Sequence, residues 1–271
     1  MIRRSIFLPH ILTAAAQENE PVESLLHQTR ALGYDGVDAA YEDLLKQPQL
    51  AQKVQKAELA FASIYHFCSF EKEFDAADMQ RFLQDAAQLE CRTVLIIPGF
   101  FTEHGERELE MQAMIDGLRR TCEMAKAYEI TVTIEDFGHI MSPCTRVEDL
   151  KRLFAAVPDL YATFDTGNFV YDGADVLSVF DVFQDRIRHV HLKDRIYEAL
   201  TDGDAAETLF TGEKIYSVAA GSGVLPMAEV LHLLAQKGYD GYAAVEHFGA
   251  GNEWDYVQRS ARWLESVLAK K

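Results

Sequence analysis

The feature that most constrains this chain is an alternation that recurs eight times. A short run rich in β-branched and aromatic residues is followed by a longer amphipathic stretch. The β-like runs fall at 5–10, 36–40, 60–66, 93–98, 131–137, 162–165, 187–193 and 242–247. Helical patterns lie near 22–32, 43–59, 79–89, 106–128, 147–156, 176–182, 227–237 and 252–269. Apolar residues at helical spacing mark the second class, and short β-rich runs bounded by turn residues mark the first. Two helix-to-strand junctions use nearly the same phrase, Gly33-Tyr-Asp-Gly36-Val and Gly238-Tyr-Asp-Gly241-Tyr. Each puts a glycine where a helix stops, because Gly accepts the left-handed conformation found just past a helix end. No Pro/Gly/Ser-rich linker divides the chain. Eight strands alternating with eight helices predict an α/β protein, a single-domain (β/α)₈ TIM barrel over 1–271, rather than a doubly wound sheet. The 271 residues suit this, since such a barrel fills about 250 residues. The one long connection, 194–225, follows the seventh strand.

A barrel of this kind builds its active site at the C-terminal ends of its strands. Four consecutive strand ends carry an acid or an imidazole. The fifth strand runs Thr131-Val-Thr-Ile-Glu135, the sixth Tyr161-Ala-Thr-Phe-Asp165, the seventh Arg188-His-Val-His191 and the eighth Tyr242-Ala-Ala-Val-Glu246. Alternation supplies a check that assumes no function. If Glu135 points inward so do Thr133 and Thr131, leaving Val132 and Ile134 for the helices. By the same parity Asp165 shares a face with Thr163, His191 with His189 and Glu246 with Ala244, and the four parities agree. Three carboxylates at one barrel mouth repel one another unless something neutralises them. A divalent cation does so, and three carboxylates with one imidazole suit Mn²⁺, Mg²⁺, Co²⁺ or Zn²⁺, with no thiolate to force zinc. Glu135, Asp165, His191 and Glu246 are therefore the candidate ligands of one divalent metal ion. Asp194 or another nearby acid is a candidate partner for the second nitrogen of His191.

At this point the residues resemble a known family, the xylose-isomerase-like barrels, a sugar isomerase/epimerase superfamily that also contains endonuclease IV. The resemblance runs from Gly33-Tyr-Asp-Gly36 to the last strand. Its most specific parts are Asp165-Thr-Gly-Asn168, His191-Leu-Lys-Asp194, and Ala220-Gly-Ser-Gly223 paired with Gly238-Tyr-Asp-Gly-Tyr-Ala-Ala-Val-Glu246. The resemblance implies an enzyme, with Glu135, Asp165, His191 and Glu246 as metal ligands and Glu135 and Glu246 as the pair that moves protons in keto-sugar epimerases. The chain departs from those epimerases where Asn168 replaces a histidine and where Arg195 is a loose match to a substrate arginine. The implied activity is metal-assisted proton transfer next to a carbonyl of a small sugar or sugar-like acid, through an enediolate, as in an isomerase or epimerase. The alternatives are a metal-dependent dehydratase of a keto-cyclitol or related keto acid, an endonuclease IV-like nuclease, and a non-catalytic sugar-binding barrel. Related barrels are often dimers, which leaves a homodimer and a monomer both open.

Composition bears on the partner. The chain carries 43 acidic and 26 basic residues, a formal charge of −17. That charge repels a polyanion at long range and argues against nucleic acid. Arg3-Arg4 ahead of an apolar run and Ala14-Ala15-Ala16 imitates a signal peptide, but Pro9 and His10 interrupt the run,. No apolar stretch approaches the ~20 residues that span a bilayer. Cys68, Cys91, Cys122 and Cys144 show no paired spacing,. The expectation is a cytoplasmic protein without a membrane partner.

Other polar residues near strand ends are substrate candidates. His66 and His10 are read as facing the mouth or its rim. Asn168 and Arg195 follow from the resemblance, and Lys193 is inward by parity, as a substrate ligand or a salt-bridge partner. Gly99-Phe100-Phe101 is read as a pocket floor or an apolar lid, and Gly221-Ser-Gly223 as a phosphate site or a tight turn. Trp254 and Trp263 are expected to pack outside the barrel.

Overall fold

A computed structural model of the chain describes residues 1–269. Eight parallel strands close into a barrel: β1 (Arg3–Phe7), β2 (Gly36–Ala40), β3 (Ala60–Phe67), β4 (Thr93–Ile97), β5 (Thr131–Ile134), β6 (Tyr161–Asp165), β7 (Ile187–Leu192) and, last, β11 (Tyr242–Val245). Ser5 sits at the seam, paired with Gly36 on one side and with Ala244 on the other. Between β7 and β11 the chain inserts a separate antiparallel sheet of β8 (Asp194–Ile196), β9 (Ala206–Thr208) and β10 (Lys214–Val218), ordered β8-β10-β9. This is the long connection read from the sequence.

The helices are α1 (Leu8–Glu18), α2 (Val22–Ala31), α3 (Tyr41–Lys46), α4 (Gln49–Lys56), α5 (Ala76–Gln88), α6 (Arg107–Ala125), α7 (Val147–Ala156), α8 (Val176–Phe183), α9 (Met227–Gln236) and α10 (Glu253–Leu268). Two boundaries differ from the sequence reading, and proline explains both. The run at 5–10 reads as strand, yet the helix begins at Leu8 with Pro9 in its first turn, where the missing N–H costs nothing and φ is already helical. The pattern at 43–59 reads as one helix, but Pro48 divides it. Gln47 is forced out of the helical region to φ −131° and ψ 75°, as the residue before a proline is. Gly33 and Gly238 take φ of +88° and +77°, the left-handed values expected at the twin junctions.

Val132, Ile134, Ala162, Phe164, Val190, Leu192, Ala243 and Val245 belong to the apolar layer between barrel and helices. Trp254 and Trp263 pack on that layer. The positions alternating with these line the barrel interior and are polar or small: Ser5, Asp38, Ser63, Thr133, Thr163 and His189 are all buried. Thr133 and Thr163 meet inside at 2.7 Å between hydroxyls. Parity therefore decides the whole inner wall. Cys91, Cys122 and Cys144 are buried and Cys68 is half-buried, all as free thiols. Among the described residues no helix is long and apolar enough to cross a membrane.

Candidate metal centre

The barrel's C-terminal mouth opens into a cavity of about 400 Å³ lined by Glu135, Asn168, Lys193, Glu207 and Glu246 among aromatic side chains. At its floor Glu135, Asp165, His191 and Glu246 each offer a ligand atom, all within 4.8 Å of one another. From His191 Nδ1 the distances are 2.8 Å to Glu135 Oε2, 3.5 Å to Glu246 Oε2 and 4.0 Å to Asp165 Oδ2. Asp165 Oδ1 accepts the N–H groups of Gly167 (2.6 Å) and Asn168 (3.0 Å). Its Oδ2, fully buried, accepts no hydrogen bond and faces the centre, with the Lys193 ammonium 3.3 Å away. A carboxylate oxygen buried without a donor is costly unless a cation takes it. The donor set and that oxygen fit a divalent metal.

The electrostatics show what the cluster does without one. Burial alone would keep His191 neutral, but Glu135, Asp38 and Glu246 around it raise its pKa well above that of an ordinary histidine. Burial likewise opposes the charge on Lys193, and the Asp165 and Glu246 carboxylates overcome it and hold the ammonium charged. Burial raises the pKa of Glu246, with Lys193 opposing and Asp165 reinforcing. Asp136, buried beside the centre, is raised by burial and by Asp165 and Glu135. Too many carboxylates share too little solvent, so protons and an ammonium do part of what a cation does.

Lys193 Nζ lies 3.3 Å from Asp165 Oδ2, contacts Glu246, and donates to Asn168 Oδ1 at 3.0 Å. Asn168 in turn donates to the Asp136 carbonyl at 2.9 Å. Both residues therefore lie at the centre, and Lys193 is both cavity wall and salt-bridge partner.

Three expectations change. His66 does not reach the mouth. It lies on the helix-facing side of β3, 2.8 Å from Asp78 and packed against Tyr41 and Phe82, because it shares parity with the core residue Ile64. Arg195 is buried behind the wall rather than lining the cavity. Its guanidinium pairs with Glu207, donates to Ser217 Oγ at 2.8 Å and reaches the Gly167 carbonyl at 3.3 Å. Asp194 is not the partner of His191. It accepts the N–H groups of Gly221 (3.0 Å), Gly223 (2.8 Å) and Leu225 (3.2 Å). The Gly221-Ser-Gly223 segment is thus a tight turn whose donors an internal carboxylate already occupies. Phe100 packs on Phe137 and His139, outside the cavity.

The partner of His191 is Asp38, on β2. Its Oδ2 lies 3.4 Å from His191 Nε2 and 2.5 Å from His189 Nε2. A charged residue inside Gly36-Val-Asp-Ala-Ala40, a strand otherwise apolar, was the available signal. The sequence reading also missed Glu207 and Tyr171, which meet across the mouth, and the aromatic wall of Phe7, Tyr65, Phe67, Phe137 and Phe248. Phe7 meets His191 edge-on at 4.7 Å.

Fold and site together define an α/β barrel with a carboxylate-rich centre at its mouth. The model of the xylose isomerase-like TIM barrel family matches residues 26–267, and the chain belongs to that family. Among curated proteins, the inosose dehydratase of Lacticaseibacillus casei is 27% identical over 167 residues, 59% of this chain and 55% of that one. The chain spans about half the length of the curated relatives it matches. Among solved structures, the probable 3-DHS dehydratase of Bacillus anthracis has a TM-score of 0.72 at 17% identity, over 97% of this chain and 98% of that one. An L-ribulose 3-epimerase has a TM-score of 0.74 at 15% identity, over 99% and 95%. At these identities the two structures speak for the fold.

Proposed function

We propose that this protein is a divalent-metal-dependent enzyme that removes a proton next to the carbonyl of a keto-cyclitol or similar polyhydroxy ketone and expels a neighbouring hydroxyl as water. The observation that carries the reading is a cluster of Glu135, Asp165, His191 and Glu246 at the floor of one cavity, with Glu135, Glu246 and Lys193 lining that cavity. Glu135, Asp165, His191 and Glu246 hold the ion, which when bound supplies Lewis-acid stabilisation of the negative charge that develops as the proton leaves. Asp38 stands 3.4 Å from the far nitrogen of His191 and is placed to orient the ring,. Glu135, partly open to the cavity, is placed to take the carbon-bound proton. Glu246 and Lys193, in contact with each other, provide the proton that lets a hydroxyl depart as water,. The aromatic wall excludes solvent and offers ring faces to the C–H faces of the substrate. The name carried by the curated relatives supports dehydration over the alternatives.

Epimerisation is the second reading, and one observation favours it. Glu135 on β5 and Glu246 just beyond β11 come from strands three places apart in the barrel, so they flank a bound ligand from different sides, as two-base inversion requires. The two readings share the proton abstraction and part at the second step. Inosose and a panel of ketoses, incubated with metal-loaded protein in deuterated water and followed by NMR and mass spectrometry, separate them. Dehydration gives a product lighter by one water, and epimerisation gives an isomer with deuterium at the inverted carbon. Absence of C–H exchange in every substrate would sink both readings.

A further inference from the structure

A second buried cluster lies beside the metal centre: His10 on α1, His247 just beyond β11, and Glu253 in the first turn of α10. Glu253 Oε2 is 2.9 Å from His247 Nδ1 and 3.3 Å from His10 Nδ1. The two imidazoles stack with centroids 4.1 Å apart. His10 Nε2 accepts the backbone N–H of His247 at 3.0 Å. That hydrogen bond fixes the tautomer. A neutral imidazole has one bare nitrogen, so the proton of His10 sits on Nδ1 and points at Glu253. These are metal-ligand side chains by type, but His10 has no lone pair left on Nδ1 to give a cation. Glu253 Oε2 instead stands within ion-pair reach of Nδ1 on both rings. Burial opposes its charge, yet the two imidazoles beside it hold its pKa down at about 2.

The position of the cluster supplies its role. The N–H gripped by His10 belongs to the peptide that joins Glu246 to His247. The next residue, Phe248, lines the cavity and packs on the His10 ring at 4.6 Å. Glu253 is anchored in turn, its own N–H donating to Gln17 Oε1 of α1 at 3.0 Å. We propose that His10 and Glu253 are positioning residues that fix the Glu246–His247 peptide and thereby hold the Glu246 carboxylate at the metal centre. This rests on the reading of Glu246 as a metal ligand.

The test is titration of the metal-free protein with Mn²⁺, followed by electron paramagnetic resonance, alongside unfolding of the metal-free protein by circular dichroism. In Glu253→Gln a neutral amide replaces the carboxylate between the two imidazoles, and the clamp loosens. Its Mn²⁺ dissociation constant is expected to rise about tenfold, the lower range for residues that support metal ligands. His10→Ala should match it. His10→Gln, whose amide oxygen can again accept the His247 N–H, should recover most of the affinity. A role confined to stability lowers the unfolding midpoint and leaves the affinity of the folded chain unchanged, which overturns the proposal. So does loss of a second Mn²⁺ equivalent in Glu253→Gln, because the cluster is then a metal site. If the wild-type protein binds no Mn²⁺, the ligand reading of Glu246 fails and the clamp with it; normal binding by wild type and Glu253→Gln alike removes the clamp alone. Should Glu253→Gln not fold, the contrast between His10→Ala and His10→Gln decides the matter.

Discussion

Two clusters of histidine and carboxylate lie side by side at this barrel's mouth, and they have opposite proton economies. In the first, His191 presents both ring nitrogens to acids, Glu135 on one side and Asp38 on the other. In the second, His10 gives one nitrogen to a backbone N–H and the other to a single carboxylate. The first has more negative charge than hydrogen bonds can satisfy and opens onto a cavity. The second is buried away from that cavity and sets one carboxylate between two imidazoles. Ligand type alone does not distinguish them; the excess of carboxylates over cationic groups and the open cavity do.

The strongest test of that contrast is a pair of isosteric changes in the first cluster. Glu135→Gln and Glu246→Gln are expected to slow exchange of a substrate C–H for deuterium by about 10²- to 10⁴-fold, the range for a positioned acid or base. Glu253→Gln leaves both groups in place, and its loss should be an order of magnitude or more smaller. Equal losses in all three would erase the distinction.

The second cluster should announce itself in the acid limb of stability. Burial, with His247 beside it, drives the His10 pKa from 6.5 down to about 4. The unfolded chain therefore takes up a proton that the folded chain refuses, so stability falls as pH drops from 6.5 toward 4. Integrated over that shift the loss is roughly 3 kcal/mol. Denaturant unfolding of metal-free protein across this window should show it, and His10→Gln should flatten the slope. A slope unchanged in His10→Gln would mean that other groups carry the acid sensitivity.

Metal binding should separate the clusters again. His191 is raised above an ordinary histidine in the metal-free protein, so the cation must displace its proton. Apparent affinity is then expected to increase with pH and to keep increasing above 6.5, by up to about tenfold per unit for each proton released. Calorimetry in buffers of different ionisation enthalpy counts those protons. At about a hundredfold excess of metal over its dissociation constant, the folded state gains about 2.7 kcal/mol. Chelator should remove that gain from the wild type and change nothing in Asp165→Asn if Asp165 is a ligand.

Much of this was legible from period and parity. Thr133, Thr163, His189 and Ala244 predict the inner wall because a strand alternates faces with no freedom to drift. Glu135, Asp165, His191 and Glu246 follow by reading upward from them. Residues off that pattern were not legible. Pro9 in the first turn of α1 turned an apparent strand end into a helix, which carried His10 from the rim to a position under the Glu246–His247 peptide. Arg195 and Glu207 belong to a small inserted sheet whose pairing has no periodic signal. Asp38 sits in mid-strand on β2 rather than at a strand tip, so a pattern of strand-end acids does not reach it.

His66 gives the smallest expected effect and tests the parity argument itself. Its place near the end of β3 suggests a residue of the mouth or its rim. Parity puts it with Ile64, and the structure follows parity: the ring hydrogen-bonds Asp78 on α5 while its neighbour Tyr65 lines the cavity. His66→Gln should therefore leave Mn²⁺ affinity and turnover within about twofold of wild type and cost about 1 kcal/mol through the weakened bond to Asp78. Tyr65→Ala, one residue away, removes part of the cavity wall and should weaken ligand binding far more than it weakens metal binding. If His66→Gln proved the more damaging to turnover, proximity to a strand end would outrank alternation as a guide to this mouth, and the inward assignments of Glu135 and Glu246 would lose their independent support.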